Sequence, residues 1–327
     1  MDFINFFIQL WKNPLAEERQ KERVLTPILT DSEIAEKFAI FGFNENTPEL
    51  VKLMQLTHPP ACTEDYESTE SILRHLKKHY RRQGDHKDKQ GDRFLWLNQP
   101  QTKTLYLQIM EKLGVYSIPK VYEPHPRENY IAIIPGSLEK RFAVRASLLD
   151  SYIDKYGPPD EVWVVTGERT LEPHECPKLK HPRTEEACLK AHLDNYLLKH
   201  RNLRGKVINA PIHNEAGIDM KGRATTVDNA LILTQENIQK DVVLFIETPF
   251  AKRMGETFRL VHEFTKRTHK LNLFSGFESP DINKIPDSEL YTLGSEIVGF
   301  MMLHAELPTR LENLITQAQM LSRNPKR

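Results

Sequence analysis

The sequence predicts an α/β fold, a three-layer α/β/α arrangement with a Rossmann-like parallel sheet, preceded by a helical N-terminal region. Three observations predict it. Between residues 130 and 274, five short apolar runs are continuous rather than alternating, the pattern of strands covered on both faces. Helical runs separate them, so each connection is a crossover and the sheet is parallel. Before residue 125 the apolar spacing is helical, with few strand signals.

In chain order, residues 1–125 form the helical region. The opening Met1-Asp2-Phe3-Ile4-Asn5-Phe6-Phe7-Ile8-Gln9-Leu10-Trp11 is too short to span a bilayer and lacks the basic start and cleavage site of a signal peptide. It predicts an amphipathic helix docked on the body, with interfacial membrane contact as the alternative. Asp31-Ser32-Glu33 caps a segment with Ile34, Phe38 and Phe41 at helical spacing. Thr47-Pro48-Glu49 opens a second helix, Pro being favoured just after a Thr cap. Residues 68–80 and 102–113 predict two more, the latter stopping at Gly114. Residues 82–93, rich in Gly, Asp, Lys and Gln, predict an exposed loop.

The pattern changes in residues 126–280, after a stiff connection through Pro119, Pro124 and Pro126. Strands are predicted at 130–134, 161–165, 206–210, 241–246 and 270–274, and helices at 138–156, 184–200, 225–238 and 251–268. In residues 281–327, two helices at 287–305 and 308–322 are expected to pack on the core.

Composition narrows the function classes. With 45 basic and 45 acidic side chains the net charge is zero, so no overall field draws the chain to nucleic acid, and basic runs such as His79-Tyr80-Arg81-Arg82 read as solvated faces. Three widely spaced cysteines, Cys62, Cys176 and Cys188, give no zinc spacing and no disulfide framework. They read as reduced thiols in a soluble, cytoplasmic protein. His174, Glu175, Cys176 and His181 also match no standard metal site, so no metal is expected.

In an open parallel sheet the ligand site lies beyond the carboxyl ends of the strands, near a change in strand order. Four loops qualify, after Ile134, Val165, Ala210 and Ile246. In the first, Gly136 permits close backbone approach and Ser137 is placed to cap the next helix. Arg141 and Arg145 follow on one helix face, suited to a carboxylate or phosphate, or else to surface pairing with Glu139 or Asp150. In the second, Thr166 offers a hydroxyl, Gly167 frees the backbone, and Glu168 and Arg169 face the site or pair with each other. Thr184 caps a helix whose first turn holds Glu185 and Glu186; the helix dipole explains one carboxylate, and the second is free for acid–base work. Thr225 caps another helix, in which Thr226 and Asn229 share a face towards ligand or surface. Thr248 ends the fourth strand. Arg253 stands in the next first turn, where a cation is unfavourable unless an anion is near, whereas Lys252 is read as facing water.

The order of Ile134-Pro135-Gly136-Ser137, Arg141, Val165-Thr166-Gly167, Thr184-Glu185-Glu186-Ala187, Thr225-Thr226-Val227-Asp228-Asn229-Ala230 and Thr248-Pro249-Phe250-Ala251-Lys252-Arg253-Met254 resembles the bacterial YdcF-like domain, whose family includes the SanA and ElyC envelope proteins. The resemblance covers residues 129 to about 275. It implies a three-layer Rossmann-like fold of largely unknown activity, with S-adenosylmethionine as one ligand. Here Glu168 would fill the acidic role of an S-adenosylmethionine site. The chain departs from the family in having Pro135-Gly136-Ser137 where a Gly-rich turn is common, and Glu168-Arg169 after Gly167 where a second small residue is common.

Together these readings describe a binder of an anionic, nucleotide-like or phosphorylated small molecule, or a hydrolase or transferase acting on one. Glu185 and Glu186 would be its catalytic carboxylates. Gly136, Ser137, Arg141, Arg145, Thr166, Gly167, Glu168, Thr226, Asn229, Thr248 and Arg253 would be its ligand contacts. The competing reading is a non-catalytic interaction protein that meets a protein partner through its helical N-terminal region. Neither reading involves nucleic acid or an integral membrane segment.

Overall fold

The structure, a computed structural model, describes residues 36–39, 41, 43, 47–57, 60–81, 97, 99–116, 129–167, 169–177, 183–210, 225–236, 238–275 and 287–323. The expectations for residues 1–11, the 82–93 loop, the prolines at 119, 124 and 126, Glu168, His181 and the loop at 211–214 lie outside the described residues.

All five expected strands form, each within about a residue of its sequence bounds. β1 (Tyr130–Pro135) lies between β2 (Glu161–Thr166) and β4 (Asp241–Phe245), with β3 (Gly205–Asn209) beyond β2 and β5 (Leu271–Phe274) beyond β4. Every pairing is parallel, giving the order β3-β2-β1-β4-β5. The Val and Ile runs that favour extended backbone also supply both faces of the sheet. Tyr130, Ala132 and Ile134 pack on α4 (Glu139–Tyr156) and α5 (Glu185–Lys199). Ile131 and Ile133 pack on the other side against α6 (Thr226–Gln235) and α7 (Ala251–Phe264). A strand with two buried faces has no polar face to show, which is why its sequence does not alternate.

Helix ends follow their capping residues. Thr184 accepts from the Ala187 amide at 3.1 Å, and Thr225 forms a reciprocal capping box with Asp228. The α4 start differs from expectation. Its N-cap is Leu138, without a side-chain cap, and Ser137 sits one residue too early to reach the first turn.

The N-terminal region contributes α1 (Thr47–Gln55), α2 (Thr69–Tyr80) and α3 (Pro100–Lys112). Their buried faces form a core of their own with Leu290, Ile297, Phe300 and Met301 of α8 (Asp287–Arg323). Further along, Leu303, Leu307 and Leu311 of the same helix enter the core beneath α6 and α7. One continuous helix thus joins the two cores where the sequence predicts two helices. Pro308 cannot donate to the His304 carbonyl, yet the apolar stripe keeps its four-residue spacing across it, and packing holds the chain helical. Among the described residues, no helix is long and apolar enough to cross a membrane.

Candidate ligand site at the strand carboxyl ends

From β1 the chain winds outward to β2 and β3, then returns to place β4 on β1's other side. The carboxyl ends of β1 and β4 are therefore where connections leave in opposite directions, the place where such sheets hold ligands. The β1 turn comes close to β2 here. A Cβ on Gly136 would stand 2.8 Å from the Thr166 Cβ and 2.9 Å from its Cα, so only glycine fits the turn as built.

A three-residue ion cluster, Arg141, Arg145 and Glu247, lies at this edge. Glu247, two residues past β4, is 5% exposed. Arg145, 1% exposed, donates from Nε to Glu247 Oε2 and from Nη2 to Oε1 at 3.3 Å. Its Nη1 donates to the carbonyls of Pro135 and Gly136. Arg145 thus clasps the end of β1 to the end of β4, with its donors engaged by the protein itself. Arg141, one turn earlier, donates from Nη1 to Glu247 Oε1 at 3.0 Å and lies over the Phe250 ring, 4.0 Å from its centroid. Its side chain remains 41% exposed. Two guanidinium charges against one carboxylate leave one positive charge, and only Arg141 carries it to the surface.

Beside this cluster lies a second. Arg253 in the first turn of α7 donates from Nε and Nη2 to the two oxygens of Glu296, at 2.7 and 3.2 Å, and from Nη1 to Thr226 Oγ1 at 3.2 Å. The anion that its unfavourable position calls for is thus a carboxylate of α8. Gly299, one turn on, makes room, since a Cβ there would stand 2.6 Å from the Arg253 Cδ. Asn229 is buried, not on the surface, and its Oδ1 has no partner. Thr248 is also buried, in a cis Thr248–Pro249 turn beyond a strand that already ends at Phe245. Lys252 does not face water. Its ammonium lies over the rings of Phe43 and Phe300, and burial pulls it down to about 8.

The remaining expected residues follow β2. Thr166 is buried with an unpartnered Oγ1, and Gly167 beside it is buried. Arg169 pairs with Glu175 and with Glu185 at 3.0 Å, and Glu186 accepts from Asn209 Nδ2 at 3.3 Å. The two expected catalytic carboxylates therefore take different partners, one a guanidinium and the other an amide. The sequence reading missed Glu247 and Glu296. Each had a signal, a carboxylate directly after an apolar strand or inside an apolar helical run.

Two other polar groupings lie elsewhere. Thr57 Oγ1, His75 and Asp65 form a chain at 2.9 and 3.2 Å, but Thr57 is fully buried, so no substrate reaches its hydroxyl. At the amino ends of β4 and β5, a cavity of about 20 Å³ has Leu233, Ile238, Val242, Phe258, His262 and His269 in its wall. Burial, with His262 and Arg267 nearby, holds the His269 imidazole down at about 4. The unfolded chain takes up this proton near the ordinary histidine range, so stability is full above about pH 6.5 and falls as pH drops towards 4. Allowing for partial exposure, the loss is on the order of 1–2 kcal/mol. Urea denaturation at pH 7.5 and 5 should show a smaller pH difference for His269→Gln than for the wild type. Equal differences would exclude His269 as the source.

The chain matches no protein-family model and no curated protein sequence.

Proposed function

We propose that the protein binds a small phosphorylated or nucleotide-like anion over the β1–β4 switch point, with Arg141 as its principal contact. The observation behind this reading is the uneven charge of the crevice: Glu247 neutralises one guanidinium of two, and the surplus is on the half-exposed Arg141. Phe250 and Glu247 hold that guanidinium in one orientation, which suits bidentate recognition of phosphate. The first turn of α4 adds amides that no side chain caps, and Thr166 and Asn229 add buried polar atoms without partners. Motif order is the reason for placing the chain with YdcF-like domains. Hydrolysis or transfer on the bound anion would fall to Glu185 or Glu186, since both oxygens of Glu247 are engaged.

A thermal-shift series with inorganic phosphate, pyrophosphate, ATP and S-adenosylmethionine tests this. At least one phosphate compound should raise the wild-type melting temperature, and Arg141→Ala, which removes a partly exposed side chain, should abolish the shift while staying folded. Equal shifts in wild type and variant, or no shift with any phosphate compound, reject the reading. A shift with S-adenosylmethionine alone would favour the methyl-donor alternative.

The interaction-protein reading is supported by a different observation. Arg145 and Arg253 at this edge are already paired with Glu247 and Glu296, and the helical region has a core of its own. It predicts no small-molecule shift in the same series.

A further inference from the structure

We propose that Cys176, Cys188 and His192 form a binding site for one borderline-soft divalent cation, with zinc as the natural occupant. One ligand atom from each residue lies within 4.8 Å of the others. Cys176 and Cys188 are 6% and 1% exposed, and their sulfurs are 2.6 Å apart. Cys188 and His192 stand four apart on α5 and share a helix face. Cys176 approaches from the irregular segment after β2. The sequence shows no zinc spacing because the site is closed by folding: the Arg169 ion pairs with Glu175 and Glu185 and the Thr170–Thr184 bridge lay this segment against the start of α5.

Ligand chemistry selects the class of ion. Two sulfurs and an imidazole suit zinc or another thiophilic metal and suit magnesium or calcium poorly. The His192 ring touches Phe142 and takes no hydrogen bond among the described residues, so a lone pair is available. Glu139 and Glu185 place negative charge near Cys188, which favours a cation there. Around zinc, bonds of about 2.3 Å in a tetrahedron would set the sulfurs roughly 3.8 Å apart. Cys176, held on a turn and not on a helix, is the one to move. A Cys176–Cys188 disulfide is the competing use of the pair, but it gives His192 no part. Binding releases two protons, one per thiol, and leaves the fourth position to water or an outside group. The bound metal would staple the segment after β2 to α5, beside Leu138 of the β1 turn.

Cobalt(II) is the probe. The full chain, reduced and metal-free under anaerobic conditions, should take up one equivalent. It should show thiolate-to-cobalt charge transfer in the near ultraviolet and the visible bands of tetrahedral cobalt, both erased by zinc. Cys188→Ser and His192→Ala should each weaken binding about 10-fold or more, an effect of the size seen when a metal site loses supporting groups. Cys62→Ser, which changes the third thiol, should bind as wild type. His192→Ala alters a half-buried side chain and serves if Cys188→Ser fails to fold. Absence of the charge-transfer band in reduced wild type overturns the proposal. So does its persistence in Cys176→Ser, or a Cys176–Cys188 disulfide in a chain whose reduced form takes no cobalt.

Discussion

Arg145→Ala is expected to destabilise the fold by about 3–5 kcal/mol, the usual cost of leaving one member of a buried ion pair without its partner. Glu247 is 5% exposed, and removing Arg145 takes away two of its three donors. The carbonyls of Pro135 and Gly136 lose theirs as well. Glu247→Ala should cost a similar amount, because it strands the more deeply buried guanidinium. The double change Arg145→Met with Glu247→Leu should recover most of the loss, since well-packed apolar replacements of a buried pair are often neutral. Urea midpoints at constant slope measure all three. Single variants within about 1 kcal/mol of wild type would mean that the β1–β4 ends do not depend on this clasp.

Arg253→Ala is expected to cost about 2–3 kcal/mol, in the range for lost hydrogen bonds to a charged group that water only partly replaces. Glu296 is 6% exposed and accepts from two nitrogens of Arg253, while the Arg253 side chain keeps 24% exposure. The pair ties α7 to the helix that runs through both cores, so its loss acts on the join between them. Arg259 gives the contrast. It bonds Glu256 and Glu263 along its own helix at 48% exposure, and Arg259→Ala should cost no more than about 1 kcal/mol. Equal losses in the two variants would place Glu296 in a wetter environment than its burial indicates.

The sheet was legible because burial on both faces writes itself into the sequence. Ile131, Ile133, Val164 and Leu244 have apolar residues on both sides and nothing polar to alternate with, and turn residues separate the runs. Local rules read helix starts at Thr184 and Thr225 and failed at Ser137, where the backbone turns one residue later. The break expected between residues 305 and 308 yielded to packing by Leu303, Leu307 and Leu311, a long-range effect that local sequence rules do not contain. The site was legible in its cations only. Arg141 and Arg253 stand out because each lies in the first turn of a helix behind a buried strand, and Arg145 follows Arg141 one turn along the same face. Their carboxylates come from 106, 102 and 43 residues away, and only the folded chain brings them together. First-turn reasoning at Arg253 did demand an anion, and Glu296 supplies it. Cys176 and Cys188, 12 residues apart, likewise meet only in the folded chain, where the Thr170–Thr184 bridge and the Arg169 ion pairs lie beside them.

A crystal structure of the chain grown with pyrophosphate addresses the switch-point site most directly. The anion is expected over the ends of β1 and β4, with an oxygen about 2.7–3.0 Å from an Arg141 guanidinium nitrogen and with Arg145 still clasping Glu247. Pyrophosphate ordered elsewhere with Arg141 unchanged, or an unoccupied crevice at a concentration that shifts the melting temperature, would contradict it.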